Sequence, residues 1–178
     1  MPCNCTLPRD ISALEIGGNN YVFFVNGQDQ LSYLVSPAGQ VLADYQPQCI
    51  QLDGLDLKVK HDSRQIAAVE WTANNVDEIR VYCIMQNDQG KGYLQEVCFS
   101  SNEPGQAWYQ GLLGSEKCVL HVDSCPSLAA IGRGWQDLKI FSSGKDEDGK
   151  NRIRVYYYTK ENGGLWTERT ISNRFQDW

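Results

Sequence analysis

Two arginines and two glutamates recur in related places along this chain. Arg80 precedes Glu96 by sixteen residues and Arg154 precedes Glu168 by fourteen, and each arginine sits in an Ile-Arg-Val-Tyr string. A guanidinium only donates hydrogen bonds and a carboxylate only accepts them. Side by side they can grip adjacent hydroxyls of a ligand, and the charge roughly doubles the strength of such bonds. An indole beside them adds a flat apolar face. Aromatics follow at similar offsets, with Trp108 twelve residues after Glu96 and Trp178 ten after Glu168. A single Arg/Glu pair reads as a cross-strand ion pair contributing about 0.2–1 kcal/mol. Its recurrence in phase with an aromatic raises the ligand reading above that one.

Other chemistries are poorly served. The only histidines are His61 and His121. His121-Val-Asp123-Ser124 holds the residue types of a hydrolase triad, but no Gly-x-Ser-x-Gly elbow accompanies it. Asp146-Glu-Asp-Gly149 lacks the ligand spacing of a calcium loop and reads as a solvated turn. No Gly-rich phosphate loop is present. A glycosidase needs two carboxylates flanking a bond, a class ranked well below binding. Seven cysteines, at 3, 5, 49, 83, 98, 118 and 125, are an odd count, unlike a disulfide framework, and their spacing makes no zinc site. Cys83 and Cys98 lie inside strand-like runs and read as buried small hydrophobes. Asn4-Cys5-Thr6 is a formal glycosylation sequon. The expectation is a protein with no enzymatic activity, no metal and no cofactor.

The 178 residues carry sixteen basic and twenty-two acidic side chains, a net charge of −6. That balance disfavours nucleic-acid binding, which rests on clustered Lys and Arg. The apolar runs, such as Tyr21–Val25, are too short to cross a bilayer, so no membrane insertion is expected. The first residues lack a basic stretch followed by an apolar one. They read as no signal peptide, which points to the cytoplasm or to non-classical secretion.

The elements that must position these residues are strands. Tyr21-Val-Phe-Phe-Val25, Ile79-Arg-Val-Tyr-Cys-Ile84 and Ile153-Arg-Val-Tyr-Tyr-Tyr158 are rich in β-branched and aromatic residues. Asn26-Gly27, Pro37-Ala-Gly39, Asn87-Asp-Gln-Gly90 and Asn162-Gly163-Gly164 are turn signals. No window keeps a helical apolar period. The chain is all-β, and it repeats. Ile11-Ser-Ala-Leu14, Ile66-Ala-Ala-Val69 and Leu128-Ala-Ala-Ile131 are one motif written three times. An aromatic strand, a short third strand and a closing aromatic (Tyr45, Trp108, Trp178) follow each. The third copy carries an insertion, roughly Trp135 to Lys150, between its first two strands.

Repeats of about fifty residues with four short strands are blades of a β-propeller. The blades are placed at 11–46, 66–114 and 128–178, in one domain. Three blades leave strand edges and apolar faces bare, so a homodimer is expected to complete a six-bladed ring. Tyr82, Phe23 and Tyr157 are read as core by strand alternation, and Trp71 and Trp135 as core or rim packing.

The strings Ile66-Ala-Ala-Val-Glu-Trp71, Ile79-Arg-Val-Tyr-Cys83, Leu94-Gln-Glu96 and Trp108-Tyr-Gln-Gly111 resemble a blade of the fungal fucose-specific lectins, the Aleuria type. Leu128 to Trp178 resembles a second blade and Ile11 to Tyr45 a diverged third. The resemblance implies a six-bladed, non-catalytic, metal-free propeller that binds fucosylated glycans in clefts between blades. Each cleft takes an Arg and a Glu from one blade and aromatics from the next. Carried over, one site uses Arg80 and Glu96 with Trp178. A second uses Arg154 and Glu168 with Tyr45 of the following blade, supplied by the partner chain. In the third cleft Tyr21 and Tyr33 stand where Arg and Glu are expected, with Trp108 and Phe99 available to stack, and that cleft is expected to be weak or dead. The position three after the Glu, often aromatic in the family, is Phe99 in the second blade but Ile171 in the third. The alternative reading is a propeller-like interaction protein that has lost sugar binding and takes a protein partner.

Overall fold

The computed structural model describes residues 8–40, 43–122, 124–145, 148–160 and 163–172. Three antiparallel four-stranded sheets follow one another along the chain. The first holds β1 (Ile11–Ile16), β2 (Asn19–Val25), β3 (Leu31–Pro37) and β4 (Gln46–Cys49). A small hairpin, β5 (Gln51–Leu52) and β6 (Leu55–Asp56), leads out of it. The second holds β7 (Ala67–Ala73), β8 (Val76–Gln86), β9 (Gly92–Ser100) and β10 (Tyr109–Gln110), and the third β11 (Ser124–Ile131), β12 (Lys139–Lys145), β13 (Asn151–Thr159) and β14 (Leu165–Ser172). In each sheet the strands lie in chain order. The first strands adjoin across sheets, β1 against β7 and β7 against β11. These are three blades of a β-propeller set side by side in an arc that does not close on itself.

Period-two alternation decides what each blade buries. On β8, Ile79, Val81 and Cys83 pack toward blade 1, with Phe23, Val25, Leu31 and Val97 in the same cluster. Tyr82 and Ile84 pack the other way, with Leu94, Ile140, Tyr156 and Trp166. Each such fully buried side chain contributes about 1.5–3 kcal/mol. Each blade thus has a back face, toward the preceding blade, and a front face, toward the next. The β7–β8 turn places Asn74 and Asn75 at φ 53° and 61°, the left-handed pair a tight primed hairpin needs and asparagine tolerates. The free inner edge of β7 is satisfied from blade 1, where Ser12 Oγ accepts from the Ala68 N–H at 3.0 Å and Asp10 from the Ile66 N–H.

The third blade departs from expectation. The stretch read as an insertion contains β12, a full strand paired with both β11 and β13. The Ile-Arg-Val-Tyr string of this blade is therefore its third strand, whereas in blade 2 it is the second. The buried tyrosine is Tyr156, with no exposed surface, and Tyr157 is only half-buried on the opposite face. Arg80 and Tyr82 share one face, as do Arg154 and Tyr156, because residues two apart on a strand point the same way.

Candidate functional site

Cross-strand pairing aligns the three front faces. The rows are Leu14–Tyr21–Val35 in blade 1, Val69–Arg80–Cys98–Tyr109 in blade 2 and Ile131–Lys139–Tyr157 in blade 3. The neighbouring rows are Ser12–Phe23–Tyr33, Ala67–Tyr82–Glu96 and Ala129–Phe141–Val155. Only blade 2 carries a cation and a carboxylate at these two positions. Tyr21 and Tyr33 stand at the equivalent places in blade 1, as the motif alignment expected. In blade 3 they are Lys139 and Val155, not Arg154 and Glu168.

Arg80 lies on the front face of blade 2, the face turned toward blade 3. Its guanidinium lies 5.0 Å from the Trp71 ring and 6.0 Å from the Tyr109 ring. Nη1 donates to Glu78 Oε2 at 2.8 Å and to the carbonyls of Ile79 and Phe99. Nη2 makes no hydrogen bond among the described residues. Nε stands 4.0 Å from Glu96 Oε1, and the arginine side chain is 12% exposed. Trp71, Tyr109 and Glu78 were not among the expected site residues. Signals for all three lay in the sequence. Trp71 ends the blade motif, Glu78 is two residues from Arg80 on the same face, and Tyr109 takes the front face because Trp108 takes the back.

Glu96 is buried, with 4% of its surface exposed. Its carboxylate accepts from the Leu112 N–H at 3.1 Å, from Leu113 at 3.5 Å and from the Tyr82 hydroxyl at 3.3 Å. Burial pushes its pKa above the ordinary value, against Arg80 and the backbone donors, which lower it. Burial also raises Tyr82 well above the usual phenol, and holds Tyr109 at about 12. Gly111 makes this arrangement possible, since a Cβ there would stand 2.3 Å from Glu96 Oε2. Glu96 therefore anchors the segment after β10 as well as flanking Arg80.

Arg154 and Glu168 are brought together too, at 3.2 and 3.3 Å, with the glutamate one-third exposed. Arg154 Nη1 and the Tyr156 hydroxyl both donate to the His121 carbonyl at 3.5 Å. That carbonyl lies in the segment between β10 and β11, which bridges to Tyr93 of β9, so this pair looks back toward blade 2 and not toward a following blade. The expected partnership with Tyr45 of another chain is not what this geometry offers, because the extra strand β12 moves the pair to the back face. Tyr45 itself is exposed, just before β4. Trp178 lies outside the described residues.

Trp108 and Phe99 do sit at the seam between blades 1 and 2, where the sequence placed them. Trp108 meets Phe23 edge-on at 5.8 Å, Tyr33 at 5.6 Å and Phe99 at 5.4 Å. Tyr21 stacks on Phe23 at 6.1 Å. Tyr33 is bonded to Gln48 at 2.6 Å. This cluster fills the seam with aromatic rings. At its inner rim an open cavity of about 350 Å³ is lined by Glu15, Gly17, Gly18, Glu70, Trp71 and Thr72. Among the described residues no group of three or more His, Cys, Asp or Glu is placed to hold a metal. No described helix is long and apolar enough to cross a membrane.

No protein-family model matches the sequence, and no curated protein matches it. Solved structures do resemble the fold. AofleA from Arthrobotrys oligospora, crystallised as a variant with three arginines replaced by alanine, superposes with a TM-score of 0.62 at 18% identity, over 94% of this chain and 41% of that one. A fucose lectin from Kordia zhangzhouensis, in complex with methyl-fucoside, superposes with a TM-score of 0.53 at 15% identity, over 93% of this chain and all of that one. The chain thus spans about two fifths of the first and the whole length of the second. Both likenesses are of fold, and the all-β propeller architecture is the one the blade motifs indicated.

Proposed function

We propose that this chain is a non-catalytic lectin for glycans containing L-fucose, and that its working site is the Arg80 seam. The observation that carries the reading is a guanidinium held between two aromatic rings, with one amino group unspent and two carboxylates beside it. Nη2 can donate to one sugar hydroxyl while Glu78 or Glu96 accepts from its neighbour. Trp71 or Tyr109 packs on the apolar C–H face, and the methyl of fucose adds to the area removed from water. A sugar whose hydroxyls leave Arg80 or the carboxylate unpaired is rejected. Arg154 and Glu168 face the same seam from blade 3, at the end where His121 bridges to Tyr93. The likeness to a lectin solved with methyl-fucoside supports fucose as the first ligand to try.

A second reading is favoured by the burial of Glu96. With its carboxylate on backbone amides, the pair is structural, and the propeller serves a protein partner. Calorimetric titration with L-fucose separates the two. The lectin reading expects one site per chain, abolished by Arg80→Ala in a chain that remains folded at the assay temperature. No heat with L-fucose rejects the fucose reading. Collapse of the fold on Arg80→Ala, with binding retained in Arg80→Lys, assigns Arg80 to structure.

A further inference from the structure

The carboxylate that grips Arg80 is itself gripped. Glu78 has both oxygens engaged, Oε2 by Arg80 Nη1 and Oε1 by the Ser100 hydroxyl, each at 2.8 Å. Ser100 lies directly across the ladder from Glu78 and is 2% exposed. Its Oγ is also 2.7 Å from the Asn102 side-chain amide. A hydroxyl has one proton to give, and the charged acceptor takes it. Asn102 therefore turns its NH2 group toward Ser100 and donates. The relay has one direction: Asn102 donates to Ser100 and Ser100 to Glu78, while Arg80 donates to the same carboxylate from the other side. The turn that carries Ser100 and Asn102 is fastened to the start of β8. There the Ser101 N–H donates to the Asp77 carbonyl and Ser101 Oγ accepts from the Asp77 N–H, both at 2.9 Å.

The equivalent positions in the other blades change together. In blade 1 Tyr21 replaces the arginine, and the cross-strand pair Asn19 and Pro37 stands where Glu78 and Ser100 do. In blade 3 Lys139 takes the arginine's place. Asp137 pairs with it from two residues before, and Thr159 lies two residues beyond its cross-strand partner Tyr157, as Ser100 lies two beyond Cys98. A blade with the cation has a carboxylate and a hydroxyl at these places, and the blade without it has neither. The physical reason is orientation. A glutamate tied at one oxygen still turns about its side-chain torsions, carrying the arginine with it. Tied at both, it fixes the direction of Nη1, and the planar guanidinium then fixes Nη2 as well. A donor held in place before the ligand arrives has no ordering cost left at binding.

We infer that Ser100 and Asn102 are positioning residues for the Arg80 site, acting through Glu78 to hold the guanidinium with Nη2 presented to the ligand. For sugar affinity the inference rests on the lectin reading above; for the orientation of Arg80 it does not.

Two measurements test it. Nuclear magnetic resonance of isotopically labelled arginine nitrogens reads the orientation, with the Arg80 Nε–H signal identified by its loss in Arg80→Lys. The heteronuclear NOE of that signal falls in Ser100→Ala and recovers in Ser100→Thr, which restores the hydroxyl. Asn102 is exposed, so Asn102→Ala leaves the fold intact and lowers the same NOE by a smaller amount. Calorimetric titration with L-fucose reads the consequence. Ser100→Ala raises the dissociation constant about tenfold at unchanged stoichiometry, but less than about twofold in a Glu78→Gln background, because Ser100 acts through that carboxylate. An Arg80 NOE unchanged in both Ser100→Ala and Asn102→Ala, or an affinity loss from Ser100→Ala as large with Glu78→Gln as without it, overturns the assignment. Wild type that gives no heat with L-fucose, while the NOE responds as expected, sinks the fucose reading and leaves the positioning role standing.

Discussion

Glu96 is where the two readings of the site diverge, and its replacement is worth working through. The carboxylate accepts three hydrogen bonds, two from backbone N–H groups and one from the fully buried Tyr82 hydroxyl. Glu96→Ala orphans all three donors and leaves Arg80 with Glu78 as its one close carboxylate. Bonds to a charged group contribute about 1.5–3 kcal/mol each, and two of these are long. Removing the carboxylate also relieves its desolvation, so a net loss of about 3 kcal/mol is expected. For a chain of this size that lowers the melting temperature by about 6–12 °C. Glu96→Gln keeps an acceptor and should cost about 1 kcal/mol. The pH dependence has a definite sign. Burial holds the folded pKa above the unfolded value near 4.5. The stabilisation from that proton is complete below 4.5 and is lost as pH rises through the folded value. The gap between Glu96→Gln and wild type should therefore narrow or reverse between pH 4 and pH 7. The assay is thermal unfolding by circular dichroism across that range. A melting point for Glu96→Ala within about 1 °C of wild type at pH 7 would refute the anchoring role. Fucose binding undiminished in Glu96→Gln would assign sugar contact to Glu78 instead.

Three further outcomes follow from packing. Gly111→Ala drives a methyl to 2.3 Å from the Glu96 carboxylate, so it should mimic Glu96→Ala in unfolding, and the double variant should be less destabilised than the sum. Trp108→Ala should cost about 3–5 kcal/mol by emptying the seam between blades 1 and 2, while leaving the fucose stoichiometry unchanged in calorimetry. Native alkylation mapped by mass spectrometry should label exposed Cys49 and spare Cys83, whose thiol is buried and pushed up to about 12; rapid labelling of Cys83 would contradict the packing of β8.

The blade framework was legible because one short motif fell in phase three times. Ala13, Ala68 and Ala130 occupy the same register position, as the strings predicted. What escaped was β12. Lys139-Ile-Phe-Ser-Ser-Gly-Lys145 has one β-branched residue and a glycine, so it scores poorly as a strand, yet it is held by pairing on both sides. That single strand changes the meaning of Arg154. Cross-strand partners share a face, and Arg154 pairs with Ser142, next to Ile140 on the back of the blade. Sequence similarity to Arg80 could not reveal which neighbour the arginine would look at. Period two also explains the missed Tyr109. Trp108 was the more conspicuous aromatic, but one residue's shift along the strand turns the ring from the Arg80 seam to the aromatic plug of blade 1.

The seams of this protein divide two tasks that oppose each other physically. A seam that must hold blades together does best with apolar side chains, because each buried charge needs its own partners to offset desolvation. A seam that must bind hydroxyls needs charges held in place but not fully spent. Blade 1 resolves this by giving up Arg and Glu for Tyr21 and Tyr33 and sealing the seam with Trp108. Blade 3 has Lys139, Phe141 and Val155 on its front face, a cation with no carboxylate at the position of Glu96. Blade 2 keeps Arg80 and Glu96, and anchors the glutamate on backbone amides so that the cation stays oriented. On the lectin reading proposed above, the number of sugar sites follows the number of charged seams and not the number of blades. A closed ring of two chains would present two such seams related by a two-fold axis. Its gain on a surface bearing many fucose residues would come from that pairing alone, through effective concentration. If the expected homodimer forms through the exposed Ile131 of blade 3, Ile131→Glu should bind free L-fucose as tightly as wild type, yet lose retention on a fucosylated surface. Equal retention of the two would show that the second site adds nothing.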